Sequence, residues 1–227
     1  LKELVQQLKG ECPVVRVEHN PSPQPAIPAA MPLKPLGLGI EGIDRAAHAL
    51  ALAAAGGHHL LMVGPPGCGK THLARQLPLL LPPLTTSESL TITRIHSVAG
   101  EFDTSEPLLH QRPFRCAHHS CSGAALLGGG HTPKPGEISL AHGGVLFLDE
   151  LAEFPRRVLD LLRQPLEDGN VRLSRSRETT VFPAAVTLVA ATNPCPCGWH
   201  GDGDQACRCT STQRQRYWQR LSGPLLD

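Results

Sequence analysis

Aromatic residues are scarce. Two tryptophans, one tyrosine and five phenylalanines make up 4% of the 227 residues. Base-stacking platforms of the kind that hold single strands therefore have little to be built from. Charge imbalance is missing too: 21 Lys and Arg stand against 20 Asp and Glu, and the net charge is +1. The whole chain is no attractor of polyanions, so any nucleic-acid surface has to be local. Long apolar runs are also absent. The longest, Ala46 to Ala55, is alanine-rich and broken by His48, well short of the ~20 residues of a membrane helix. No secretory signal pattern is visible, and a cytoplasmic protein without a membrane partner is expected. The first residue is Leu1, and Leu225-Leu226-Asp227 ends in mid-pattern, so the chain reads as a piece of a longer one.

What is present begins with Gly64-Pro65-Pro66-Gly67-Cys68-Gly69-Lys70-Thr71, after the apolar run Leu60 to Val63 and before the helically spaced Leu73, Ala74 and Leu77. This fits G-x-x-x-x-G-K-[ST] in the strand-to-helix setting that the pattern requires. The glycines let backbone N–H groups converge on phosphate oxygens. Lys70 is placed for the β- and γ-phosphates, and Thr71 offers a hydroxyl to Mg²⁺. The rival reading, a glycine-rich turn without a ligand, is disfavoured by the length of the match and its context. No N-K-x-D guanine tetrad occurs, so ATP is expected rather than GTP.

A second apolar run, Val145 to Leu148, ends in Asp149-Glu150. At the end of a buried strand, Asp149 would hold Mg²⁺ and Glu150 would polarise the attacking water. Solvated acids at a strand end are the alternative, weakened by the phosphate loop upstream. A third run, Val186 to Ala191, delivers Thr192-Asn193. Asn193 there can hydrogen-bond the attacking water or the γ-phosphate and report its presence.

The rest of the chain divides around these motifs. Residues 1–12 carry Leu1, Leu4, Val5 and Leu8 at helical spacing and read as the end of a truncated upstream domain. Residues 13–35 hold seven prolines and read as a linker. The core spans 36–227. A helix is expected from Glu41 to Ala55, stopped by Gly56-Gly57, and another from the capping box Thr85-x-x-Glu88 toward Ser97. The segment His96 to His142 is irregular and reads as an insertion with a short hairpin, outside the core. A helix from Pro155 to Gln164 should bury Val158, Leu159, Leu161 and Leu162. After Gly169-Asn170, a β-hairpin carries Arg172, Arg175 and Arg177. Thr212 to Leu221 reads as a helix bearing Arg214, Arg216 and Arg220.

Several sites admit two readings. The hairpin arginines are either a pore loop gripping DNA phosphates without base readout or a solvated strand face. Arg112, Arg115 and Lys134 are surface charge or channel lining. His118, His119 and His131 lack a zinc spacing and read as structural or channel residues. Eight cysteines could mean a disulfide scaffold, but a phosphate loop points to a reducing compartment, where clustered thiols bind metal or stay free. Cys195, Cys197, Cys207 and Cys209, as C-x-C…C-x-C, suffice for Zn²⁺ or form a loop of free thiols. Arg220, ahead of Arg216, is a candidate arginine finger for a neighbouring subunit's γ-phosphate; an ion pair within the chain is the alternative.

These motifs, with Ala54-Ala55-Gly56-Gly57-His58, Pro135-Gly136-Glu137-Ile138-Ser139-Leu140-Ala141-His142, Leu162-Arg163-Gln164-Pro165-Leu166-Glu167, Asn193-Pro194-Cys195-Pro196-Cys197-Gly198 and Ser222-Gly223-Pro224-Leu225-Leu226-Asp227, make the chain resemble the magnesium-chelatase-like AAA+ ATPases of bacteria, in their ComM/YifB competence-protein family. The resemblance covers about 36–227. It implies an α/β P-loop module, three layers with a mostly parallel sheet, a helix-2 insertion and a hairpin before the sensor Asn193. It further implies a Lon-like domain upstream and a helical lid beyond Asp227. The activity it implies is that of an ATP-hydrolysing, Mg²⁺-dependent homo-hexamer driving branch migration of DNA, without sequence preference, during natural transformation. A chelatase-type motor acting on a protein partner and a non-translocating assembly switch are the rivals, and the G-A-F-T-G-A loop of one class of such switches is absent. Cys68 departs from the family's usual Thr or Ser, and Cys116-Ala117 from its usual residues before the histidine pair; neither removes a phosphate or magnesium ligand.

Overall fold

Glu41–Gly56 forms helix α1, and Gly57 closes it in the left-handed conformation (φ 64°). The computed structural model describes residues 41–102, 107–174 and 179–221. The expected upstream helix, the proline-rich segment, Arg175, Arg177 and residues 222–227 lie outside the described residues. Strand β1 (Leu60–Val63) leads through the phosphate loop into α2 (Lys70–Ala74) and α3 (Leu77–Leu80). The sequence suggests one continuous helix up to Pro78; instead Pro78 sits in the first turn of α3, where its missing N–H costs nothing. Helix α4 (Thr86–Ala99) has the expected capping box: Glu88 N donates to Thr85 Oγ1 at 3.3 Å, and Thr85 N donates to Glu88 Oε2 at 2.8 Å.

The segment expected as an insertion is largely core. It supplies β2 (Phe114–Ala117), α5 (Gly123–Leu127), the short hairpin β3 (Gly128–Gly129) and β4 (Lys134–Pro135), and α6 (Glu137–Leu140). Leu126, Ile138 and Ala141 are fully buried. Strand β2 pairs in parallel with β5 (Val145–Leu148), from Phe114↔Val145 to Ala117↔Leu148. Its apolar pattern is masked by Arg115. That guanidinium is neutralised by Glu137 at 2.7 Å and Glu101 at 2.9 Å, which lets a charged residue sit in a sheet strand.

A 3₁₀ turn (Leu151–Glu153) and α7 (Arg156–Asp168) follow. Val158, Leu159 and Leu162 are buried as expected, whereas Leu161 is exposed. Strands β6 (Asn170–Ser174) and β7 (Thr179–Pro183) form the expected antiparallel hairpin, with Val171 opposite Phe182. Strand β8 (Thr187–Thr192) completes the main sheet, and α8 (Ser211–Trp218) is capped by a second box, Thr210 with Gln213.

The sheet order is β1-β8-β5-β2, all parallel. Successive strand residues point to opposite faces. Val145, Phe147, Val189 and Ala191 meet Leu50, Ala54, Ala74 and Leu77 on one side. Leu146, Leu148, Leu188 and Ala190 meet Leu126, Ile138, Leu159 and Leu162 on the other. At β5 and β8 both faces are covered, which is why these two strands read as unbroken apolar runs. The result is the expected three-layer α/β/α architecture.

Candidate functional site

Parallel pairing brings the C-terminal ends of four strands to one edge, the usual ligand edge of an open α/β sheet. Val63 leads there into the phosphate loop, Thr192 into Asn193, Leu148 into Asp149-Glu150, and Ala117 into His118-His119. Gly64 N donates to Thr192 O at 3.3 Å, so the loop leaves the sheet still tied to β8.

Gly67 (φ 77°) and Gly69 (φ 85°) take left-handed conformations that turn the loop. Gly69 is also the N-cap of α2, and no side chain caps the N–H groups there. Lys70 Nζ donates to Gly64 O at 2.8 Å, to Pro65 O at 2.9 Å and to Asn193 Oδ1 at 3.2 Å. The ammonium and the expected sensor amide thus occupy one point at the loop mouth.

Thr71 Oγ1 donates to Asp149 Oδ2 at 2.9 Å, and Asp149 Oδ1 accepts from Glu150 N at 2.9 Å. Two cis ligands of an octahedral Mg²⁺ at ~2.1 Å stand ~3 Å apart, so Thr71 and Asp149 fit that ion as a pair of hard oxygen donors. Glu150 has φ 54°, the one positive value outside glycine among the described residues. A non-glycine residue held there stores on the order of 1 kcal/mol of strain.

One contact escapes the sequence reading, which takes His119 as a structural or channel residue. His119 Nδ1 stands 2.9 Å from Glu150 Oε2, at an angle that makes an electrostatic contact and no hydrogen bond. His118 instead pairs its Nδ1 with Ser120 Oγ at 2.8 Å. The two rings lie 4.0 Å apart, and His119 has its edge toward Phe154.

The arginines divide. Arg112 is a structural pin: its guanidinium donates to Pro82 O and Gly143 O, each at 2.5 Å, and meets Glu88 at 3.4 Å. Arg115 is held by its two glutamates, which raise its pKa further. Lys134 and Arg172 are exposed on their strands. Arg220 Nη1 donates to Glu153 Oε2 of its own chain at 3.1 Å. It shares a groove with Arg216 and Arg208, the last not anticipated. Helix α8 is seated by Tyr217 Oη 3.2 Å from Thr192 Oγ1, and by Trp218 Nε1 donating to Pro194 O at 3.1 Å. Burial pushes the Tyr217 phenol above its ordinary pKa.

The four cysteines come together. Cys195 Sγ lies 3.4 Å from Cys197 Sγ and 3.7 Å from Cys207 Sγ, and all four sulfurs lie within 4.8 Å of one another. Backbone N–H groups of Trp199 and Arg208 pull the Cys197 thiol down to about 6, while burial pushes Cys209 up to about 12. Cys116 and Cys121 lie elsewhere and are raised by burial.

Comparison with known proteins agrees with this arrangement. Residues 38–227 match the family model described as magnesium chelatase, subunit ChlI. The uncharacterized protein YifB of Salmonella typhimurium is 52% identical over 186 residues, 82% of this chain and 36% of that protein. The competence protein ComM of Haemophilus influenzae is 52% identical over 191 residues, 83% of this chain and 36% of the relative. The chain thus spans little more than a third of these relatives. Among solved structures, a complex of subunits BchI and BchD of magnesium chelatase is similar in fold, with TM-score 0.52 and 20% identity, covering 79% of this chain and 64% of that one. Phosphate loop, acid pair and Asn193 on the edge of a parallel sheet, together with these matches, show that the chain belongs to the magnesium-chelatase-like AAA+ ATPase family, in its ComM/YifB group.

Proposed function

We propose that this chain is the ATP-hydrolysing core of a ring-forming motor that moves along DNA. The observation that supports it most is the meeting of Lys70, Thr71, Asp149, Glu150 and Asn193 at one strand edge, from three separate parts of the sequence. Backbone N–H groups of the loop and Lys70 hold the phosphates of ATP. Thr71 and Asp149 hold Mg²⁺, which when bound neutralises charge on the β- and γ-phosphate oxygens. Glu150 accepts a proton from the water that attacks the γ-phosphorus as the bond to the ADP oxygen breaks. Asn193 orients that water or the γ-phosphate, and its contact with Lys70 ties the sensor to the loop. Arg220, with Arg216 and Arg208 beside it, meets the nucleotide of a neighbouring copy, so that a hydrolysis site is complete only in a homo-oligomer, which we take to be a hexamer.

The DNA part of the reading rests on the exposed Arg172 of the hairpin and on the relative named as a competence protein. It suits a cytoplasmic motor in transformation or recombination that grips phosphates and ignores sequence. The test is ATP hydrolysis by the full-length protein with and without branched or single-stranded DNA. Stimulation by DNA is expected. Hydrolysis unaffected by any DNA but raised by a protein partner would replace this reading with a chelatase-type remodelling motor.

A further inference from the structure

We propose that Cys195, Cys197, Cys207 and Cys209 bind one Zn²⁺ as a closed four-thiolate site, and that this site clamps the sensor turn to the phosphate loop and to helix α8. The clamp rests on the motor function proposed above; the metal site stands without it.

The distances define the ligand. Zn–S bonds of ~2.3 Å in a tetrahedron place sulfurs ~3.8 Å apart. The observed separations are 3.4 Å for Cys195–Cys197, 3.7 Å for Cys195–Cys207 and 3.6 Å for Cys197–Cys207. A disulfide needs ~2.0 Å between two sulfurs and leaves others apart; here three are nearly equidistant and the fourth is in reach of all. Four thiols with no carboxylate or imidazole among them form a soft donor set that selects zinc or iron over magnesium. Four protein ligands leave no open position, so the site is structural and not catalytic. On binding, each thiol gives up its proton and four S–Zn bonds form. Backbone support is in place: Cys209 N donates to Cys207 Sγ at 3.5 Å, and Arg214 Nη1 donates to Cys209 O at 2.8 Å. Such outer contacts orient ligands and tune the metal.

Placement gives the site its purpose. Cys195 follows Asn193 by one intervening residue, Pro194, whose carbonyl holds Trp218 of α8. Cys209 immediately precedes Thr210, the cap of α8. Between the two cysteine pairs, Gly198 turns with φ 87° so close to the phosphate loop that a Cβ there would lie 2.7 Å from Pro66 Cδ. One ion would therefore bind three things together: the sensor Asn193, the loop that holds phosphate, and the helix that carries Arg216 and Arg220. Without it, a 15-residue span from Cys195 to Cys209, rich in glycine, has little apolar content to order it.

The test is elemental analysis of the full-length protein purified without chelator. About one zinc per chain is expected, falling at least twofold in Cys207→Ser and in Cys209→Ser and unchanged in Cys116→Ser. Should the serine variants not fold, Co²⁺ added to chelator-treated wild type supplies the same answer, since four thiolates give the intense visible bands and sulfur-to-metal charge transfer of tetrahedral cobalt. No metal in either preparation, iron in place of zinc, or zinc retained in both serine variants would overturn the site. For the clamp, stripping zinc is expected to lower kcat for ATP at least tenfold and zinc addition to restore it. Unchanged kcat in verified zinc-free protein would overturn the clamp while leaving the site standing. No ATPase in zinc-loaded protein would instead count against the proposed motor.

Discussion

His119 and Glu150 occupy matched positions on neighbouring strands. Each lies two residues past the end of its strand, after Ala117 and Leu148, which are register partners. Their side chains meet at 2.9 Å. An imidazole on the adjacent strand end thus sits against the proposed catalytic base.

If Glu150 is the base, Glu150→Gln should keep ATP binding and lose turnover. General-base catalysis contributes roughly 10²–10⁴-fold, so a fall in kcat within that range is expected, with nucleotide affinity within a few-fold of wild type. Single-turnover hydrolysis and binding of a fluorescent ATP analogue measure the two quantities. Loss of binding without a separate loss of chemistry would assign Glu150 to fold rather than reaction.

His119 is a positioning residue in this scheme, and its removal should cost less. His119→Ala is expected to lower kcat about tenfold, of the order of 1.4 kcal/mol in barrier, with KM for ATP little changed. His119→Asn, which keeps a polar group beside Glu150, should recover most of the activity. Equal defects in both variants, with a parallel fall in melting temperature, would mark His119 as a packing residue beside Phe154.

Arg172 tests the DNA reading. On a phosphate-gripping hairpin, Arg172→Glu should reduce the ratio of DNA-stimulated to basal hydrolysis. It should also make log Kd for DNA less steep in log salt, by about 0.7–0.9 for each phosphate no longer neutralised. An unchanged salt slope would return Arg172 to an ordinary solvated strand face.

Stability should fall in two stages on acidification. Leu188 N donates to His59 Nδ1 at 3.0 Å, and Ala185 N donates to His142 Nδ1 at 3.1 Å. Burial lowers the pKa of both imidazoles, helped at His59 by His58 and opposed at His142 by Glu88. Below about pH 6.5 the unfolded chain takes up protons that the folded one resists, so stability present at neutral pH is lost as pH falls. Glu88 has its pKa lowered, chiefly by the Thr85 backbone N–H. Its contribution is present above the ordinary carboxylate range and is lost as pH falls through the depressed folded value. Thermal melts from pH 7.5 to 3 should show both declines. His59→Gln with His142→Gln should flatten the first; Thr85→Ala should shrink the second and cost about 1 kcal/mol at neutral pH.

Local signals are legible where the chemistry is contiguous. The Thr85–Glu88 box, the hairpin after Gly169-Asn170 and the strand ending in Asp149-Glu150 each spell out a complete local motif, and each stands in the structure as expected. Strand β2 is hidden in the sequence because its Arg115 is compensated by Glu101 and Glu137, one on each side in sequence and neither adjacent to it. Leu161 misleads because helical spacing places it beside the apolar stripe of α7 without saying how far that stripe is covered.

By itself, then, the sequence marked out the phosphate-loop pattern, the acid pair and the paired cysteines, since turn residues and ligand types are written in neighbouring residues. Only the tertiary structure decided which of them meet. Lys70 and Asn193 are 123 positions apart, and Thr71 and Asp149 are 78 apart. Buried parallel strands are nearly interchangeable apolar runs, so their order is set by how the helices between them cover both faces. That order, β8 between β1 and β5 with β2 outside, places Asn193 beside the phosphate loop and His119 beside Glu150.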